Sequence, residues 1–445
     1  MKIIKLQPSV TTMKATIKKT TKALSVFLIM VITLMQSQAH ANMPIAPIKL
    51  QLTQPNGHQF FAIAKGDINH YWYQTLDGKR IAQAGKTWIY VTLNDKLQLV
   101  NTTHAVGSLT AKKLALITSS DKIRSVQQLQ KTKSKSILKP AIEPSAKPVD
   151  APDSQPNNNN HHRSQMAVGA QNTVVILVSF ANQSFRYSEE NFAQLVFGQD
   201  SVNSYYQSVS YNQMSLVAAT ESHGVANDGV ISVTLTTNHP NSDFANDQTI
   251  EGALTAANQF IDYASFDSNN DQQISAQELA VVMFAAGYEN SYGGSPLTPK
   301  VHGHKSSIPA VTLDGVSLSP YTMMGERHAT NSSNEHQATR GIVAHELGHL
   351  ILNLPDLYDT DSSSQGIGNW GLMGVGSWGN VGSSHIGSHP AGFTGWSKIE
   401  AGISQANTIT ANTNLTLQPL STNNEVAKLW IDNYRLNEYF ILANR

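Results

Sequence analysis

The segment His345-Glu346-Leu347-Gly348-His349 constrains the fold of this chain more than any other. Residues four apart stack on one face of a helix, so both imidazoles reach a single point only if this stretch is helical. Residues 337–344 carry no proline, and no glycine before Gly341. Ile342, Val343, Leu347, Leu350 and Ile351 give the stretch apolar side chains, which predicts a buried helix. Glu346 lies beside the first histidine. There it cannot easily join the same ion, but it can take a proton from water held by that ion.

Two histidines leave a metal site incomplete. No glutamate occurs between Glu346 and Glu400, and the nearby acids are Asp356, Asp359 and Asp361. A carboxylate on the turn directly after the helix is therefore expected, within Leu354-Pro355-Asp356-Leu357-Tyr358-Asp359. Two nitrogens and one oxygen, with a fourth position for water, suit a hydrolytic zinc ion. Further on, Asn369-Trp370-Gly371-Leu372-Met373-Gly374-Val375-Gly376-Ser377-Trp378-Gly379 has the glycines of a tight turn. Met373 sits among those glycines.

These residues resemble the M6 family, the immune-inhibitor-A-type secreted metallopeptidases of the metzincin-like group. The resemblance extends over most of residues 42–445, and its specific part is residues 341–379. It implies Zn2+ on His345, His349 and Asp356, with Asp359 as second choice, Glu346 as general base and Met373 in a methionine turn. It also implies protein or peptide substrates. Two departures stand out: Asn353 replaces the usual glycine, and the spacing from His349 to Asp356 is one residue longer. Asparagine tolerates the left-handed conformation of a helix exit next best after glycine, so the turn can still form. The implied fold class is α/β (α+β): a metzincin-like domain with a mixed twisted sheet and an active-site helix, preceded by a β-rich prosegment and followed by antiparallel strands.

The rest of the chain suits an exported enzyme made in latent form. Residues 14–22 are basic, residues 23–35 are apolar and short, and Ala39-His40-Ala41 offers a small-residue cleavage site. This reads as a signal peptide over 1–41, with no membrane span once it is removed, and predicts secretion. Residues 42–130 read as a β-rich prosegment. Strands are expected over residues 49–53, 60–64, 71–74 and 87–93, with turns at Pro55-Asn56-Gly57, Asp77-Gly78 and Asn94-Asp95. Residues 131–171 form a polar linker containing Asn157 to Asn160 and His161-His162-Arg163. The catalytic domain is expected over 172–405, opening on an apolar strand from Val174 to Phe180. A helix capped by Ser188 follows, and another begins at Ser201. Alternation over residues 408–417, 427–431 and 439–442 predicts antiparallel strands in a final segment, 406–445.

A formal net charge of zero conceals an asymmetry: residues 1–165 hold 22 Lys and Arg against 7 Asp and Glu, whereas 166–445 hold 9 against 24. A basic front part is drawn to an acidic catalytic part, as an inhibitory prosegment should be. The basic residues are scattered without a recognised motif, so nucleic acid is not expected as a partner. The chain has no cysteine, which excludes disulfides and a thiolate latch on zinc.

Asp267-Ser268-Asn269-Asn270-Asp271-Gln272-Gln273-Ile274-Ser275-Ala276-Gln277-Glu278 resembles a calcium loop, with Asp267, Asn269, Asp271, Gln273 and Glu278 as candidate ligands for a structural Ca2+. Gln272 stands where the sharp turn normally takes glycine. His385 and His389, in a Gly- and Ser-rich stretch, are read as loop histidines that could also polarise a substrate carbonyl. Two other classes remain open on sequence: a zinc amidase acting on cell-wall peptides, and a metal-stabilised surface adhesin. The intact Glu346 speaks against the second.

Overall fold

The computed structural model describes residues 41–68, 70–127, 169–360, 364, 366–382, 384–409, 414–430 and 439–445. The leader reading of residues 1–40 and most of the linker reading, including His161 and His162, lie outside the described residues. The first strand, β1 (Ala41–Asn42), belongs to the larger, nine-stranded sheet described below. It is followed by an antiparallel six-stranded sheet: β2 (Lys49–Thr53), β3 (Gln59–Gly66), β4 (Tyr71–Thr75), β5 (Arg80–Ala84), β6 (Thr87–Leu93) and β7 (Leu99–Ala105). Tight turns at Gly57 and Gly78, both with positive φ, set the register of the first hairpins. Ala62, Ile81, Tyr90, Val106 and Ile117 form a small core of its own. Expectation and structure agree on four of these strands. β5 and β7 were not anticipated: β5 has Ile81 as its one β-branched residue, and Val100, Thr102 and Thr103 of β7 lie in a strand with no buried residue and so no hydrophobic face.

The larger sheet is mixed and nine-stranded. Its centre is β8 (Gly169–Ser179) beside β11 (Ala280–Glu289), paired in parallel. On one side of β8 lie β9 (Met214–Ala218) and β10 (Val230–Thr234), both parallel to it. On the other side of β11 lies β14 (Val316–His328), also parallel, with β12 (Lys300–Val301) alongside β11. β13 (His304–Leu313) then runs antiparallel to β14, and β1 runs antiparallel to β13. β15 (His336–Gln337) closes against the end of β14.

The sheet is buried on both faces, which explains the continuous apolar runs of its central strands. Val175, Leu177, Val282, Phe284 and Met324 face one helical layer. Val174, Ile176, Val178, Val281, Met283 and Met323 face the other. The first layer contains α1 (Glu189–Phe197), α2 (Val202–Val209) and α4 (Arg340–Leu352). The second contains α3 (Asp247–Ala257). Ser188 caps α1 in a reciprocal box with Asn191, and Ser201 caps α2, both as the sequence implied.

At the C-terminal end come α5 (Gly395–Glu400) and a three-stranded sheet of β16 (Ala406–Ile409), β17 (Val426–Trp430) and β18 (Tyr439–Leu442). Here one expectation is corrected: β17 and β18 are antiparallel, but β16 and β17 are parallel. Alternation reveals that a segment is a strand and which face it buries. Direction is set by the connection, and the intervening residues are numerous enough to cross over. Among the described residues no helix is long and apolar enough to cross a membrane.

Candidate active site

α4 carries the two histidines. It begins at Arg340, later than the sequence suggests, because His336 and Gln337 are taken by β15. From Gly341 to Leu352 every residue is buried, so the helix sits inside the core and has no polar stripe. It packs against β11, β13 and β14. Gly341 lets its first turn press against the later loop: a Cβ there would lie 2.0 Å from the Ser377 carbonyl oxygen and 2.7 Å from that of Gly387. Overpacking of this kind typically costs up to about 3 kcal/mol. Alanine returns roughly 1 kcal/mol in helix propensity. Gly341→Ala is therefore expected to lose about 2 kcal/mol of stability on balance, read as a lower denaturation midpoint with an unchanged m-value. A wild-type midpoint would mean that the loop yields freely.

The helix leaves through Asn353 in the left-handed region, φ 50° and ψ 30°, with its amide bonded to the Gly348 carbonyl. This is the conformation that asparagine was expected to tolerate. The chain then turns back so that Asp356 faces the imidazoles. Nε2 of His345 and Nε2 of His349 are 3.1 Å apart, and Oδ1 of Asp356 lies 3.2 Å from the first and 3.1 Å from the second. Among the described residues this is the one group of three or more such side chains gathered closely enough to hold an ion. Asp359, the second choice, is outside it and accepts the Ser364 amide at 3.0 Å.

The far nitrogens fix the tautomers. Nδ1 of His345 is 2.8 Å from the Leu372 carbonyl oxygen, and Nδ1 of His349 is 2.6 Å from that of Leu354. A carbonyl can only accept, so each Nδ1 carries the proton and each Nε2 turns its lone pair inward. Lone pairs and a carboxylate converging at this spacing repel one another unless a cation stands among them. The donor set, two imidazoles and one carboxylate, fits zinc. With no ion in place, a proton on the imidazoles takes its role: burial pushes the Asp356 carboxyl up, yet the charge and hydrogen bonds of protonated His349 and His345 outweigh it and hold the group well below the usual carboxylate range. Tyr358 is buried with its hydroxyl hydrogen-bonded to Asp356, a contact that sequence reasoning did not assign.

Glu346 is fully buried, and neither carboxylate oxygen has a protein hydrogen-bond partner of good geometry. Burial, and then the negative charges of Asp356 and Glu289, push its carboxyl well above the ordinary range, with Lys305 opposing through its amide and charge. Met373 is buried below α4, where a Cβ on Gly348 would meet its sulfur at 2.8 Å. Its carbonyl accepts the Leu357 amide at 2.7 Å, tying the turn that bears Asp356 to the glycine-rich turn.

The remaining candidates lie elsewhere. His385 and His389 are exposed; His385 stacks on His336 at a centroid distance of 3.8 Å, and neither belongs to the donor group. In the proposed calcium loop, Gln272 does adopt the left-handed conformation, φ 62°. The loop's oxygens bond to its own amides: Asp267 accepts from Asp271 and Gln272, Asn269 from Asp271, and Asp271 from Gln273. Glu278 accepts from the amides and hydroxyls of Ser268 and Ser275. The carboxylates of Asp267, Asp271 and Glu278 are not gathered into an ion-sized group.

One neighbour of the site was not legible beforehand. Residues 41–46 run along β13 beside α4. Ala41 and Asn42 pair with Lys305 and His304, and the Met43 amide donates to the Gly303 carbonyl at 3.1 Å. The Pro44 carbonyl accepts from Nε1 of Trp378 at 2.7 Å, and the Ala46 amide donates to the Ser291 carbonyl at 2.7 Å. Met43 to Ala46 are buried.

A mixed α/β fold that presents a histidine-bearing core helix beside an antiparallel edge strand is the build of a peptidase. The chain belongs to the immune inhibitor A peptidase family, M6: the model of that family's catalytic domain matches residues 170–404, more than half of its length. No match is found among curated proteins.

Proposed function

We propose that this protein is a zinc-dependent endopeptidase, exported and made in latent form. The observation that carries the reading is the convergence of His345, His349 and Asp356 on one point beside the buried carboxylate of Glu346. His345, His349 and Asp356 would hold the ion. When bound, zinc supplies Lewis acidity toward the attacking water and the scissile carbonyl. Glu346 accepts a proton from that water as its oxygen bonds to the carbonyl carbon, then delivers a proton to the departing amine as the C–N bond breaks. β13 offers its outer edge to an extended polypeptide, which adds to the sheet as an antiparallel strand. An edge of this length favours protein chains over small amides, and Glu346 would have no task in an adhesin.

Latency rests on residues 41–46, which occupy that same edge, and on the charge contrast in the sequence between a basic front part and an acidic catalytic part. Export rests on the leader pattern in the sequence. The loop of Asp267 to Glu278 has no part in this chemistry. Purified protein is expected to hold about one zinc per chain. After limited proteolysis removes the N-terminal part, it should digest casein, and a chelator should stop digestion reversibly. Absence of zinc, or digestion that ignores the chelator, would reject the reading.

A further inference from the structure

Glu289 ends β11, is completely buried, and takes no part in the chemistry above. Its Oε1 accepts the Ser291 amide at 2.8 Å, the Ser291 hydroxyl at 2.7 Å and the Gly303 amide at 2.9 Å. Its Oε2 accepts the Gly325 amide on β14 at 2.8 Å. One carboxylate thus ties the end of β11 to the turn that follows it, to Gly303 just after β12 and to Gly325 on β14.

Two of the residues it holds, Gly303 and Ser291, are those whose carbonyls accept the amides of Met43 and Ala46. Gly303 is thereby pinned on both sides, its amide on Glu289 and the peptide that carries its carbonyl by His304 in the β13 ladder, while Ser291 is held through both its amide and its hydroxyl. We propose that Glu289 is a positioning residue that aims the Gly303 and Ser291 carbonyls into the cleft, where they receive two amides, three residues apart, of any chain bound along β13. The proposal rests on the peptidase reading, because it takes residues 41–46 as tracing the path of a substrate. Burial lifts the Glu289 carboxyl to about 6 even against four hydrogen bonds. A site that isolated retains a carboxylate only where its donors are well placed.

Glu289→Asp tests this. It keeps the carboxylate but withdraws it by about 1.5 Å, so that Gly303 and Ser291 can no longer share one oxygen. In the activated wild type, a peptide long enough to reach both carbonyls should show a KM up to about tenfold lower than one ending before the Ser291 contact, the worth of a single well-made hydrogen bond. In Glu289→Asp that ratio should fall to about one, with kcat for the short peptide within roughly twofold of wild type. A folded, zinc-loaded variant with the full ratio, or with kcat lowered equally for both peptides, overturns the proposal. Should Glu289→Asp fail to fold, Ser291→Ala decides: removing one of the three donors on Oε1 should reduce the ratio about two- to threefold, and an unchanged ratio is negative. Hydrogen exchange in the intact chain separates this proposal from the peptidase reading. Met43 and Ala46 amides should exchange about tenfold faster in Glu289→Asp even if no peptide is cleaved, and equal exchange overturns the proposal.

Discussion

Replacing Glu346 by Gln should lower kcat/KM for protein substrates by roughly a thousandfold, within the range that a positioned general base contributes, and leave the zinc content intact. The two side chains have nearly the same shape, and Glu346 belongs to no donor group, so nothing that holds the ion is removed. The fold should not suffer either. A carboxylate that is fully buried and faces the charges of Asp356 and Glu289, with only the Lys305 amide and charge against them, is unfavourable in the metal-free protein. The neutral amide relieves that repulsion, so the metal-free variant should melt no lower than wild type. Single-turnover cleavage with parallel metal analysis checks both halves. Undiminished cleavage would remove Glu346 from the mechanism, and loss of zinc would make it a ligand.

The second large effect belongs to Asp356. Asp356→Ala should weaken zinc binding by more than about a hundredfold, exceeding what outer-shell contacts contribute, and activity should vanish with the metal. Asp359→Ala should keep zinc, because that carboxylate accepts the Ser364 amide and lies outside the donor triangle. Competition with a chromogenic chelator distinguishes the two. Equal loss in both variants would mean that Asp359 also ligates, and loss only in Asp359→Ala would reverse the assignment. The comparison matters because the extra residue between His349 and Asp356 leaves the choice open on sequence. In the structure, the left-handed turn at Asn353 absorbs that residue and returns Asp356 to the imidazoles.

Where the sequence was readable, the signal was local. The helix of α4, the caps at Ser188 and Ser201 and the left-handed exit at Asn353 depend on neighbours within four residues. What could not be read depends on distant pairing. The partners of Ala41 and Asn42 are more than two hundred and fifty residues away, and nothing in their composition names β13 as their edge. Glu289 was passed over for the same reason: it looks like an ordinary acid at the end of an apolar strand. Its four donors come from residues 291, 303 and 325. The parallel pairing of β16 with β17 escaped because alternation carries no direction.

The donors of the site differ in how firmly they are anchored. Both histidines ride on a helix enclosed on every side, so they move only when the core itself opens. Asp356 is partly exposed and sits on a short return turn, tied down by the Leu357 amide on the Met373 carbonyl and by Tyr358. Under mild denaturant or gentle warming that turn should let go first. The protein would then lose hydrolytic power while its sheet and helices still give a native spectrum, and inactivation would precede unfolding and remain reversible as long as zinc stays in solution.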